Sequence, residues 1–364
     1  MIIDVISKWI ELIALVFMTG TVFCRLLVLE GGGVKFTAEE ILPNLWRPFG
    51  PAIGLMAAAS AVNLLARVSR ISGLSFFHSV NMLALVISGT HFGRVWMIRI
   101  SLLFLLAAVL LVSGKKRRAG RPVPVLVLVI LLLVSLTESA FGHAADKGDF
   151  SLPEINNWFH LLGAEVWGGG LLALSLLVLP RVIRTAGTPG PSASPAVIAG
   201  IARRFSAMAG AGVAVMAVTA AINYQIYVGS IRALLDTPYG LTAASKIILF
   251  LAILNLGAFN RYISVPVLQH WAGLSPGKPG IAGRMVRLLF SPFTKGREGL
   301  KMALLFKKLV RAEMFLVFSL LLAAAFLSSE PPARHYLHMK DEHLEQMGHG
   351  PQNLGGGMRD MGGM

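Results

Sequence analysis

Cysteine is nearly absent from this chain of 364 residues, and acidic residues are few. The single Cys24 lies inside the first apolar run, which excludes an intrachain disulfide and any cysteine cluster for zinc or iron–sulfur. A soft-metal site must therefore be built from methionine and histidine. Charge as a whole is sparse: 14% of residues are Asp, Glu, Lys or Arg against 55% apolar, too little for the surface of an ordinary water-soluble domain. No nucleotide-binding motif occurs, which argues against direct ATP-driven pumping. Present instead are apolar runs of about 20 residues, the length a helix needs to cross a bilayer. The expected fold class is all-α: a polytopic integral membrane protein of about eight transmembrane helices, with the lipid bilayer as its medium, and not an enzyme.

Apolar runs bounded by Pro, Gly and charge clusters predict helices at about 6–29, 50–67, 93–113, 122–142, 156–179, 204–229, 241–263 and 308–329. The stretch Leu74–Ser88 is apolar but short, and it carries His78, Ser79 and Asn81. A re-entrant or interfacial segment is expected there. The N-terminal run lacks a basic n-region and reads as the first helix, not as a removed signal. A Pro/Ser/Gly-rich stretch divides the chain into an N-terminal transmembrane half of about five helices at 1–184, a linker at 185–203, and a C-terminal half at 204–330. The latter includes a basic loop at 264–307, and residues 331–364 form a Met/His-rich tail.

Thirty-three Lys and Arg against 18 Asp and Glu give a net charge of +15, which in a soluble protein points to nucleic acid. Here the basic residues sit between apolar runs, as topology signals do, so no nucleic-acid partner is expected. Placing the densest cluster, Lys115–Arg118 with Arg121, in the cytoplasm puts 22 of the 33 basic residues on that side. Both termini then fall on the outer side of the membrane. The basic loop, with its apolar piece Met285–Phe293, is expected to lie against anionic headgroups.

With this topology eight of the nine histidines fall on or near the outer face, and only His270 lies inside. His143 ends the fourth helix, His160 opens the fifth and His91 opens the third. Three imidazoles reaching one region from three helices suit a metal site; interfacial histidines bonded to headgroups or backbone suit the same pattern. The tail adds His335, His338, Met339, His343, Met347 and His349, followed by Met358, Met361 and Met364. Thioether and imidazole together suit copper, Cu(I) or Cu(II), and not magnesium or calcium. Glycines through this tail suit a flexible scavenging arm, and chance composition of a disordered end is the plain alternative.

Charges inside apolar runs are costly and mark function or pairing. Arg25, Arg99, Glu138, Lys246, Arg311 and Glu313 lie near helix ends, where they can snorkel. Glu165 lies deeper, beside Trp167 and Gly168-Gly169-Gly170, where missing side chains let another helix approach. It is a candidate for a cation or proton path below the histidines, or for a structural pair with Arg99 or Lys246. Met208 and Met216, eight residues apart on the sixth helix, share a face and offer stepping stones for Cu(I); ordinary core packing explains them as well.

These stretches resemble the copper resistance protein D family of bacterial inner-membrane proteins. The likeness runs from about Leu136 to Pro332 and includes Gly142-His143-Ala144-Ala145 and the segment His160 to Gly170 with its Glu165, Trp167 and triple glycine. Arg204-Phe205-Ser206, the turn Thr237-Pro238-Tyr239-Gly240 followed by Lys246, Asn260-Arg261, Arg311-Ala312-Glu313 and Pro331-Pro332 continue it. Thr90 to Arg99 extends it into the N-terminal half. The resemblance implies eight helices, a role in copper transport or homeostasis, histidine ligands at His143 and His160, and a periplasmic CopC-like carrier as a separate chain. His91 and the tail ligands rest on placement and composition alone. A b-type haem redox protein, with two of His91, His143 and His160 as axial ligands, and a non-transporting copper-delivery or assembly subunit are the alternative expectations.

Overall fold

A computed structural model describes residues 2–30, 44–114, 121–141, 148–185, 194–278, 280–290 and 299–334. Among the described residues, eight helices are long and apolar enough to cross a membrane: Ile2–Leu29, Phe49–Ser72, His91–Ser113, Pro122–Ser139, Leu152–Ile183, Pro195–Tyr227, Pro238–Trp271 and Leu300–Leu327, here spans 1 to 8. The protein is all-helical and a multi-pass membrane protein. Local chemistry sets several of the starts. Thr90 and Thr237 cap spans 3 and 7 by accepting from the amides of Gly93 and Gly240, and proline stands in the first turn of spans 4, 5, 6 and 7, where its missing N–H costs nothing.

Spans 6 and 8 begin earlier than the apolar pattern predicts, at Pro195 and Leu300. The basic residues Arg203, Arg204, Lys301, Lys307 and Lys308 end the apolar stretches but not the helices. Residues 195–203, expected within the linker, are helical. The basic loop expected over 264–307 is largely helical where it is described. Span 7 continues to Trp271, and a separate amphipathic helix, Ile281–Phe290, leaves Ile281, Met285, Leu288 and Leu289 exposed while Arg287 Nε donates to the Tyr262 carbonyl at 3.1 Å. The stretch after span 2 forms a 3-10 turn, His78–Met82, and a short helix, Leu83–Gly89, too short to cross.

Spans 1 and 5 form the centre and are buried over most of their length. Span 1 packs against spans 2, 4, 5 and 8, and span 5 against span 6. Glycine permits the central crossing: a Cβ on Gly169 would overlap the Val16 carbonyl, and one on Gly20 would overlap the backbone of Gly169 and Gly170. A second close approach joins Gly163 of span 5 to Gly212 and Met216 of span 6. Backbones in contact without side chains between them gain dispersion over a long interface, the device that membrane helices use in place of water exclusion. The helices also widen into π turns, over Cys24–Leu29 in span 1, Glu165–Gly169 and Leu174–Val178 in span 5, and Asn260–Ser264 in span 7. Spans 3 and 7 turn large apolar side chains outward, among them Phe104, Leu111, Ile248 and Leu251. That is the surface lipid requires.

Candidate functional site

The alternation of the spans brings the N-terminal ends of spans 1, 3, 5 and 7 together with the C-terminal ends of spans 2, 4, 6 and 8. A cavity of about 350 Å³ opens at this end of the bundle. Its wall includes Asp4 and Lys8 of span 1, Glu138 of span 4, Asn157 and His160 of span 5, Met216 and Asn223 of span 6, and Tyr239 and Lys246 of span 7. The opposite end gathers other charges: Arg25 pairs with Glu30 at 2.9 Å, and Arg204 Nε donates to the Val28 carbonyl at 2.5 Å.

At and behind the cavity wall four charges from three spans, Lys8 partly exposed and the other three buried, neutralise one another. Arg99 Nη2 lies 2.6 Å from Glu138 Oε2, and its Nη1 lies 3.4 Å from Glu11 Oε1. Lys8 Nζ stands 2.5 Å from Glu138 Oε1 and 3.8 Å from Glu11 Oε2. Thr137 gives its proton to the Val134 carbonyl and so accepts Arg99 Nε at 3.0 Å. The guanidinium also sits 3.9 Å from the Phe141 ring centroid, a cation–π contact, and Asn63 Nδ2 donates to Glu11 at 3.3 Å. Arg99 thus pairs with Glu138 and Glu11, not with Glu165. Lys8 and Glu11 were not singled out by the sequence, although their spacing of three puts them on one helix face.

His160 is held by a definite hydrogen bond. Thr219 Oγ1 is 2.7 Å from the Val215 carbonyl and 3.2 Å from that of Met216, so its one proton is used on span 6 itself. It lies 3.0 Å from His160 Nδ1; with its proton on the Val215 carbonyl it accepts from Nδ1–H, the tautomer in which Nε2 carries the lone pair. A neighbouring hydrogen bond that fixes the tautomer in this way is what a metal-binding histidine requires. Asn156 fastens the same two spans by donating to the Thr219 carbonyl at 3.1 Å and to Asn223 Oδ1 at 2.8 Å.

Glu165 lies one layer deeper, fully buried at the start of a π turn. Ser135 and Glu138 of span 4 face it, yet neither of its carboxylate oxygens accepts a well-formed hydrogen bond among the described residues. A buried carboxyl without a partner is expensive, and π turns concentrate at functional positions. Met216 forms part of the cavity floor. Met208 is packed two turns further in against Gly170, and both sulfurs belong to the central core.

His91 is half exposed, with Nε2 2.7 Å from Asp149 Oδ1, and it does not line the cavity. His143 and the tail residues His335, His338, Met339, His343, Met347 and His349 lie outside the described residues. Among the described residues no three His, Cys, Asp or Glu side chains converge as a metal set. The second polar cluster in the spans, Asn260 Nδ2 donating to Glu313 at 2.6 Å with Ser264 donating to Asn260, belongs to spans 7 and 8 and does not line the cavity.

Two family models match the chain. Copper resistance protein D-like, N-terminal domain, covers residues 2–151, and Copper resistance protein D covers residues 199–327. Copper resistance protein D of Pseudomonas syringae pv. tomato is 25% identical over 267 residues, 70% of this chain and 80% of that protein. Copper transport protein CutJ of Bacillus subtilis (strain 168) is 29% identical over 172 residues, 46% of this chain and 30% of that protein, so the chain spans less than a third of it. No solved structure matches.

Proposed function

We propose that this chain, which belongs to the copper resistance protein D family, carries copper across or along the membrane as a transport protein and not an enzyme, and that His160 Nε2 is the ligand that receives the metal at the floor of the cavity. The observation that carries the reading is the Thr219 contact with Nδ1 of a cavity-lining histidine, which supports the tautomer with its lone pair on Nε2. Met216 on the same floor adds a soft donor suited to Cu(I). The oriented imidazole with few further donors favours exchange over deep trapping, which transport needs.

In this reading the cavity faces the periplasm, because the arginines at the opposite end follow the positive-inside rule, and both termini lie outside. His143, His91 and the tail ligands bring copper to the cavity, a separate CopC-like carrier supplies it, and Glu165, Met208 and Met216 line the way inward. The two transmembrane halves joined near residues 185–203 remain the proposed organisation. A haem reading needs a second imidazole opposite His160, and among the described residues the cavity holds one histidine.

The test is anaerobic Cu(I) titration of detergent-purified protein as full chain, as His160→Ala and as a version ending at Pro332. Loss of one good ligand is expected to weaken core binding by about tenfold or more, with the truncated form keeping the core site. Equal affinity of His160→Ala and the parent would remove His160 from the path.

Glu165 gives an independent check. Replacement by Leu removes an unsatisfied buried carboxyl, so thermal unfolding in detergent should show stability unchanged or raised by about 1–3 kcal/mol. Copper uptake into proteoliposomes should fall. Lower stability with normal uptake would instead make Glu165 a structural group.

A further inference from the structure

The cavity is the wrong size and the wrong sign for a bare cation. At about 350 Å³ it holds roughly ten water volumes, the scale of a small organic ligand. Its lining carries four cationic side chains, Lys8, Arg67, Arg70 and Lys246, against two carboxylates, Asp4 and Glu138. Most of these are answered locally. Lys8 and Glu138 pair, Arg70 reaches Asp4 at 3.6 Å, and Arg67 stacks 4.1 Å over Phe92 and donates to the Phe141 carbonyl.

Lys246 differs. Among the described residues it makes no ion pair and no hydrogen bond, and it stands within electrostatic reach of His160, the proposed receiver of the metal. A lone copper ion at His160 would meet this ammonium with no intervening negative charge. The same cavity is also lined by donors: Tyr239 from span 7, and Asn223, which has committed its oxygen to Asn156 and has its amide N–H groups to offer.

We infer that the cavity takes its copper as an anionic complex, a small carboxylate-bearing chelate whose negative group is held by Lys246 while the metal faces His160. The inference rests on the copper reading for the metal but not for the anion. Lys246 supplies the charge-assisted hydrogen bond to the carboxylate, the cavity supplies the room that an ion alone would leave filled with water, and the chelate cancels the repulsion. Transfer to His160 is then a ligand exchange in which the imidazole nitrogen replaces one oxygen of the chelate, with no change in oxidation state.

Binding of three probes to the full chain in detergent tests this: citrate alone, copper(II) citrate, and the cationic bis(ethylenediamine) copper(II) complex. Wild-type protein should bind citrate without metal and should prefer the anionic copper complex. Lys246→Met should weaken both citrate-containing probes by about ten- to hundred-fold, the worth of one hydrogen bond to a charged group, and should strengthen binding of the cationic complex. Lys246→Arg should keep the wild-type order. Where Lys246→Met does not yield folded protein, the preference of the wild type between the two complexes decides alone. The proposal is overturned if wild-type protein ignores citrate, or if Lys246→Met binds citrate as the parent does. Citrate binding that depends on Lys246 in a protein that takes up no copper would sustain the anion site and sink the copper reading.

Discussion

An Arg99→Met variant should lose about 3–5 kcal/mol of stability, the cost of breaking a buried ion pair by removing one partner. Arg99 is fully buried and answers two carboxylates at once, Glu138 at 2.6 Å and Glu11 at 3.4 Å. With it gone, Lys8 is the remaining cation beside both, and one negative charge stays uncompensated between spans 1, 3 and 4. Adding Glu11→Gln should return a large part of the loss, because it restores neutrality while leaving the Lys8–Glu138 pair in place. Thermal unfolding of the two variants in one detergent measures the difference. Additive losses in the double variant would show that the four charges do not act as one neutral group.

Gly169→Val should be at least as damaging, above about 3 kcal/mol, the upper range for added methylenes in a packed core. The new Cβ has no room to give way, since it meets the Val16 carbonyl, a backbone atom on the facing helix. Spans 1 and 5 would have to separate along their crossing, which would disturb the cavity floor as well. Two other glycines serve as controls. A Cβ on Gly168 meets only side chains, Val317 at 3.2 Å and Val16 at 4.0 Å, and one on Gly54 meets nothing within 4 Å. Gly168→Ala should therefore be mild, and Gly54→Ala neutral or stabilising by up to about 1 kcal/mol. Yield of monodisperse protein and unfolding temperature across this series check the order. Equal tolerance of Gly169→Val and Gly54→Ala would refute the close crossing.

The eight spans were legible because the bilayer imposes a length on apolar sequence, and Leu74–Ser88 was legible as too short for the same reason. Their ends were not. Hydropathy reports where the apolar slab stops, while the helix of span 6 runs on through Arg203 and Arg204 and that of span 8 starts before Lys301. His160 could be singled out from its place at the head of an apolar run. Its partner Thr219 could not, since that hydrogen bond depends on which helices adjoin. Arg99 and Glu138 stood out individually as charges in apolar runs, expected to snorkel near helix ends, but their burial and their pairing with Lys8 and Glu11 are properties of three packed helices. The cavity has no linear signature at all, being the gap left where all eight spans bring side chains to one end.

The π turn at Glu165–Gly169 acts on span 5 as a phase correction. His160 and Gly169 are nine positions apart, and a straight α-helix at about 100° per residue would set them on opposite faces. A single extra residue taken up by the wider turn leaves them about a quarter turn apart. One helix can thereby show its imidazole to Thr219 of span 6 and its bare backbone to Val16 of span 1. The count of residues in that turn, more than their identity, is what keeps the imidazole-bearing and helix-facing sides of the span in step.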